Sequence, residues 1–224
     1  MRNEKLSAYD VEQIHCRYRK RWEETGYSPS SLGWGKAKQS LRFQKMFERF
    51  DIAGKSILDI GCGFGDLNLY LNSRGGGYKY LGVDIVKEFI EEADRRYHTE
   101  QIEFAEGEFL NYEFSEKYDY CIESGIFNHV MYNIDNYTYI EQVMKKAYDM
   151  CRCACIFDFR SDKVDYFEDG LFYNDPSKIL DMGYGLTKRV LLDNSYMPYE
   201  FMLVLYKDDK VNWEKMCYQP YSEL

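Results

Sequence analysis

Apolar positions along the chain follow two rhythms. From about Glu4 to Glu24 they recur at helical spacing, until "GYSPSSLGWG" breaks the pattern with Pro29 and three glycines. A second helical stretch, "KAKQSLRFQKMFERF", repeats Leu41, Met46, Phe47 and Phe50 on one side. Short continuous apolar runs then take over: "SILDI" (56–60), "YKYLGVDI" (78–85), "IEFAEG" (102–107), "YDYCIES" (118–124) and "ACIFDF" (154–159). Helical stretches near 66–73, 87–97 and 136–150 separate them. Strands that are apolar throughout and alternate with helices predict a parallel sheet covered on both faces. Two last strands, near 186–192 and 201–207, are joined only by "DNSYMPYE", too short for a helical crossover. They are expected to form an antiparallel hairpin. No repeat or low-complexity linker interrupts the chain. The expected organisation is one α/β domain over 51–224, with residues 1–50 as a helical extension and lid of that same domain.

The first strand runs into "GCGFGDL", a glycine-rich turn that opens a helix. Such a turn presents a nucleotide-like ligand to a helix N-terminus. A dinucleotide fingerprint needs glycines at G-x-G-x-x-G. Gly61 and Gly63 fit, but the third position is Asp66, and Asp59 stands on the other side of the turn. A pyrophosphate between these carboxylates would be repelled by about a few kcal/mol, which argues against a nicotinamide-dependent oxidoreductase. A ligand carrying an ammonium and a sulfonium suits them, so the turn points to S-adenosylmethionine. Asp84, at the end of the second strand, can accept from two ribose hydroxyls. In "AEGEFL", Glu108 can accept from an adenine amino group and Phe109 can pack on the ring. "IESG" brings Glu123 and Ser124 beside the glycine turn.

Composition narrows the picture further. At 224 residues and 45% hydrophobic content, one full core is expected. A net charge of −9 argues against nucleic acid as a partner, and the basic cluster "RYRKRW" reads as the solvated face of the first helix. No apolar run reaches membrane-spanning length and "MRNEKLSAYD" is too polar for a signal peptide, so a cytoplasmic protein with no membrane contact is expected. Seven cysteines show no framework spacing. In "CRCAC" a strand would place Cys151, Cys153 and Cys155 on one face; no histidine or second cysteine pair lies nearby in sequence, so buried reduced thiols and no metal are expected.

Taken in order and at these intervals, "ILDIGCGFG", "VDI", "EGEF" and "YDYCIESG" resemble the motifs of class I S-adenosylmethionine-dependent methyltransferases. The resemblance spans about 56–207. It implies a Rossmann-like seven-stranded, mostly parallel sheet of order 3-2-1-4-5-7-6 with strand 7 antiparallel and helices on both faces. It also implies that Asp59, Gly61 and Gly63 surround the methionine part of the cofactor, Asp84 and Ile85 the ribose, and Glu108 and Phe109 the adenine. "GWGKAKQSLRF", "SGIFNHV" and "YMPYEFMLVLYKD" are similar to a bacterial group of small-molecule methyltransferases associated with cell-surface polysaccharide and sugar-modification pathways. In that reading Trp34 and Arg42 close over the cofactor, Arg42 pairing with its carboxylate.

Methyl transfer from a sulfonium requires mainly an aligned acceptor lone pair and, for a hydroxyl, removal of its proton. The acceptor is expected outside the carboxyl ends of the strands, where "GIFNHVMYN", "FRSDKVDY" and "SLGWG" converge. His129 is the candidate general base, with a rate inflection expected near ~6.5. Asn128 could orient an acceptor hydroxyl. Arg160 and Lys163 suggest an anionic acceptor, such as a phosphorylated sugar or nucleotide derivative. The leading expectation is a small-molecule O-methyltransferase; the alternative is a non-catalytic S-adenosylmethionine-binding sensor or complex subunit.

Overall fold

The computed structural model describes residues 6–33 and 38–207. Its sheet has seven strands: β1 (Ser56–Ile60), β2 (Lys79–Asp84), β3 (Ile102–Glu106), β4 (Tyr118–Ser124), β5 (Cys151–Arg160), β6 (Val190–Asp193) and β7 (Glu200–Tyr206). Their order is β3-β2-β1-β4-β5-β7-β6. β7 runs antiparallel to both β5 and β6, and the first five strands are mutually parallel. This is the expected order and the expected terminal hairpin.

Side-chain alternation along the strands sorts the core into two layers. Leu58, Ile60, Cys121, Phe157 and Leu203 pack under helix α5 (Asn136–Met150) through Ile140, Val143 and Met144. On the opposite face Ile57, Ile122, Ile156 and Val204 meet α2 (Lys38–Phe47) and α3 (Leu67–Ser73). α2 contributes Met46 and Phe47, which are 1% and 0% exposed, so this helix belongs to the core rather than lying over it.

One helix was not expected. Helix α6 (Pro176–Leu186) lies between β5 and the terminal hairpin, with Pro176 in its first turn and Asp175 capping Ser177 N–H at 2.8 Å. Its two glycines weaken the helical signal, yet Gly183 lies so near β7 that an added Cβ would be 2.9 Å from Leu205 Cδ2. Absence of a side chain lets the helix dock.

The "CRCAC" expectation is corrected. Tyr118 pairs with Cys151 but Tyr120 with Ala154, so β5 spends three residues where β4 spends two. This bulge turns Cys153 to the opposite face. Cys121, on the neighbouring strand, instead joins Cys151 and Cys155, the three sulfurs within 4.8 Å of one another in the α5 layer. No helix among the described residues is long and apolar enough to cross a membrane.

Candidate active site

The carboxyl ends of β1, β2 and β4 open into a cavity of about 1000 Å³, including its mouth. The glycine turn forms its floor. Gly61 N and Cys62 N both donate to Val83 O, at 2.8 and 3.2 Å, which pins the turn to β2. Gly61 has φ 73°, and a Cβ there would be 2.2 Å from Ile126 Cγ2. Gly63, at φ 55°, would place a Cβ 2.8 Å from Leu32 Cδ2. Only glycine holds this backbone so close to its neighbours.

Asp84 lines the cavity with both oxygens anchored: Oδ2 accepts from Gly63 N at 2.9 Å and Oδ1 from Val86 N at 2.8 Å. Each oxygen retains a lone pair for a ligand hydroxyl. Burial pushes its pKa up, against the pull of those backbone donors. Asp59 also lines the cavity; Oδ2 accepts the Tyr80 hydroxyl at 2.6 Å, and burial raises its pKa to about 7. Ile85, Glu108 and Phe109 complete this side. Both Glu108 oxygens already cap their own turn, accepting from Leu110 N and Asn111 N at 2.9 Å each. Asp66 does not line the cavity: its Oδ1 accepts from Tyr27 and Tyr97, each at 2.8 Å, tethering the segment after helix α1 (Ala8–Thr25) to the glycine turn.

After β4, Ser124 lines the cavity and donates to Asp158 Oδ2 at 3.1 Å. Glu123 points away, fully buried, with Oε1 accepting from Ile126 N at 2.6 Å; burial and the nearby Asp158 hold its pKa well up. Arg42 is likewise absent from the lining. Its buried guanidinium pairs with Asp158 at 2.9 Å and forks onto Glu200, so the expected pairing with a ligand carboxylate gives way to an internal ion cluster. Its neighbours Gln39 and Phe43 face the cavity instead. Trp34 lies outside the described residues.

His129 lines the cavity and is 7% exposed. Its Nε2 is 2.9 Å from the Tyr18 hydroxyl, and its backbone carbonyl accepts from Asn136 Nδ2 at 2.7 Å. Burial lowers the imidazole pKa to about 3, helped by Arg17, Arg21 and Arg160. The ring is therefore neutral across physiological pH, and the expected inflection near ~6.5 is withdrawn for this residue. The other acceptor-side candidates are not brought to the cavity. Asn128 Oδ1 accepts from Arg160 N at 3.2 Å, binding the β4 loop to β5. The Arg160 side chain lies 3.7 Å from Glu168 and over the Tyr173 ring, and exposed Lys163 pairs with Asp162 at 2.9 Å.

Residues 57–152 match the methyltransferase domain family. Rv1506c of Mycobacterium tuberculosis, provisionally assigned as a methyltransferase, is 30% identical over 158 residues, covering 68% of this chain and 93% of that protein. The chain belongs to the class I S-adenosylmethionine-dependent methyltransferases. Magnesium protoporphyrin IX methyltransferase from Synechocystis PCC 6803, solved with S-adenosylhomocysteine, superposes with a TM-score of 0.64 at 14% identity, covering 89% of this chain and all of that one. Phosphoethanolamine N-methyltransferase 1 of Haemonchus contortus gives 0.67 at 14% identity, covering 92% of this chain and 51% of that one. At these identities the two share the fold. S-adenosylmethionine is accordingly the cofactor of this methyltransferase, and its site fits: the glycine turn at Gly61 and Gly63 lines the cavity beside two carboxylates, Asp59 and Asp84.

Sequence reasoning missed the roof. Ile14 and Tyr18 descend from α1 into the cavity, while Trp22 packs on Phe64 and Phe89 at centroid distances of 5.5 and 6.2 Å. The spacing Ile14–Tyr18–Trp22 is the i, i+4 signal that could have shown it. The basic residues interleaved in "RYRKRW" masked that stripe.

Proposed function

We propose that the protein transfers a methyl group from S-adenosylmethionine to a hydroxyl oxygen of a small molecule. The observation that carries this reading is the Tyr18–His129 hydrogen bond at the cavity wall, a neutral pair suited to holding a hydroxyl. In this assignment Asp84 accepts from the ribose hydroxyls, Ile85 and Phe109 flank the adenosine, and Asp59 with Gly61 and Gly63 surrounds the methionine part. The Glu108 cap shapes the turn carrying Phe109. Bound S-adenosylmethionine supplies an activated methyl group on a sulfonium. The acceptor oxygen lone pair forms the new C–O bond as the C–S bond breaks, its electron pair staying on sulfur. The hydroxyl proton leaves to solvent. The protein's share is alignment. A sugar- or nucleotide-linked acceptor, which the narrower resemblance implies, fits with any phosphate kept outside the cavity.

The test is transfer of label from methyl-tritiated S-adenosylmethionine into a fractionated small-molecule extract. Alkali-stable methyl ether in the product is expected. Label only in amines would overturn oxygen as the acceptor atom, and tight cofactor binding with no transfer would favour the sensor reading.

Two further outcomes follow from the cofactor placement. With its pKa near 7, Asp59 is mostly protonated at pH 6, and a cationic amino group beside it favours the carboxylate. Binding then expels a proton below pH 7, so S-adenosylhomocysteine affinity should rise about tenfold from pH 6 to pH 8. Calorimetry in buffers of different ionisation heat reads the proton directly; proton uptake, or no pH dependence, would remove Asp59 from the ammonium. The segment after α1 is tethered through Tyr27 to Asp66 and seats Leu32 against Gly63. It is proposed as a lid, and S-adenosylhomocysteine should slow hydrogen exchange of residues 28–33. Equal exchange with and without ligand would leave it an ordinary connection.

A further inference from the structure

Beyond the residues matched to the cofactor, the cavity wall has a consistent character. Ile14, Leu32, Phe43, Phe89, Ile126 and Met131 face it. The polar side chains beside them are Tyr18, His129, Gln39 and Ser124. Among the described residues no lysine or arginine lines the cavity, whereas Asp59, Asp84 and Glu108 do. Cations nearby are placed elsewhere: Arg160 against Glu168, Lys163 against Asp162, Arg19 against Glu88 at 3.1 Å. Arg21 lies 5.7 Å from the Tyr18 ring centroid without joining the lining. Arg17, Arg21 and Arg160 act on His129 only from outside the lining, so an anionic group drawn into this space would meet carboxylates and lose its hydration with no lysine or arginine among the described lining residues to touch it.

We propose that the part of the acceptor buried by this methyltransferase is an uncharged hydroxyl compound with an apolar ring face, and that Tyr18, held by His129, is the positioning residue for its hydroxyl. This rests on the methyltransferase reading and narrows its acceptor. Tyr18 is fixed from three sides: its hydroxyl by His129 Nε2, its ring edge-on to Phe89 at 5.7 Å, and edge-on to the His129 ring at 5.6 Å. A hydroxyl so fixed can accept from one donor while donating to another. His129 Nδ1 is buried and makes no hydrogen bond, so the ring gains nothing from a second proton and serves Tyr18 as a neutral partner.

A matched pair of probes tests charge separately from shape. The protein saturated with S-adenosylhomocysteine is titrated with 2-naphthol and with 2-naphthyl phosphate, read by naphthyl fluorescence and calorimetry. The neutral probe should bind at least about tenfold more tightly. Tyr18→Phe, which keeps the ring and removes only the oxygen, should weaken 2-naphthol about fivefold or more and leave S-adenosylhomocysteine affinity within about twofold. Equal or tighter phosphate binding overturns the proposal, especially if Arg160→Ala with Lys163→Ala abolishes it. Failure of 2-naphthol to saturate at millimolar concentration overturns it as well, as does an unchanged Tyr18→Phe affinity. Failure of S-adenosylhomocysteine itself to bind would instead overturn the cofactor assignment, so the two outcomes separate. Should Tyr18→Phe misfold, His129→Leu, which cannot hydrogen-bond the Tyr18 hydroxyl, tests the same group through loss of its partner, with the same drop expected for 2-naphthol alone.

Discussion

Replacing Asp84 with alanine is expected to weaken S-adenosylhomocysteine binding by about 30- to 1000-fold. In the proposed assignment the lost contact is a charged carboxylate accepting two ribose hydroxyls in a buried site, worth about 2 to 4 kcal/mol. The structure adds a second cost. Asp84 also accepts from Gly63 N and Val86 N, so alanine leaves two buried N–H groups without partners at the glycine turn. Each such orphan costs about 1–3 kcal/mol, so the apo variant should melt earlier as well. Asparagine separates the effects. Its amide oxygen can keep one backbone bond while its NH₂ faces the other donor, so cofactor affinity should fall nearly as far with a smaller loss of stability. Calorimetry on folded protein, corrected for active fraction, decides the matter: unchanged affinity in Asp84→Ala would take this residue away from the ribose.

How much of this was legible depended on whether a signal was local. β1 and β4 were readable to the residue because "SILDI" and "YDYCIES" are apolar runs bounded by turn residues, as strands buried on both faces require. The glycine turn and Asp84 were readable because backbone geometry demands residue type at fixed spacing. The bulge in β5 was not, since nothing in "CRCAC" marks an extra residue; it is set by pairing with β4. Helix α6 hid behind Gly183 and Gly185, whose helical cost is outweighed by close packing on β7. On the acceptor side, Asn128, Arg160 and Lys163 were chosen by proximity in sequence to strand ends. Whether a loop side chain turns into a cavity or onto a neighbouring carboxylate is a tertiary choice, and here Glu168 and Asp162 won. Arg42 illustrates the same limit. Its burial was paid for by Asp158 and Glu200, partners more than a hundred residues away.

His129→Ala should lower methyl transfer by on the order of 10²-fold, the scale of a misaligned acceptor, while leaving S-adenosylhomocysteine affinity nearly intact. Its protonation state decides the role. A ring whose pKa is about 3 is unprotonated at neutral pH but a poor proton sink, so its contribution is to hold the Tyr18 hydroxyl rather than to carry a proton away. Two pH signatures follow. Between pH 5 and 8 the rate should show no inflection belonging to His129, and its ring carbon resonances should not titrate in that window. Stability carries the second signature: the unfolded chain takes up the histidine proton near ~6.5 and the folded one only near 3, so the folded state loses ground as pH falls from 6.5 toward 3. Asp59, raised to about 7, and Asp158, raised to about 6, act in the opposite direction, since their native forms hold protons that the unfolded chain releases above ~4. The histidine share is therefore read as a difference, wild type minus His129→Gln, measured by denaturant melts at pH 4.5 and 7. The wild type should lose more on acidification. A ring that titrates near ~6.5 would restore His129 as a candidate general base, whereas a His129→Ala variant keeping more than about a third of wild-type transfer would make it a structural residue and leave alignment to the Tyr18 hydroxyl alone.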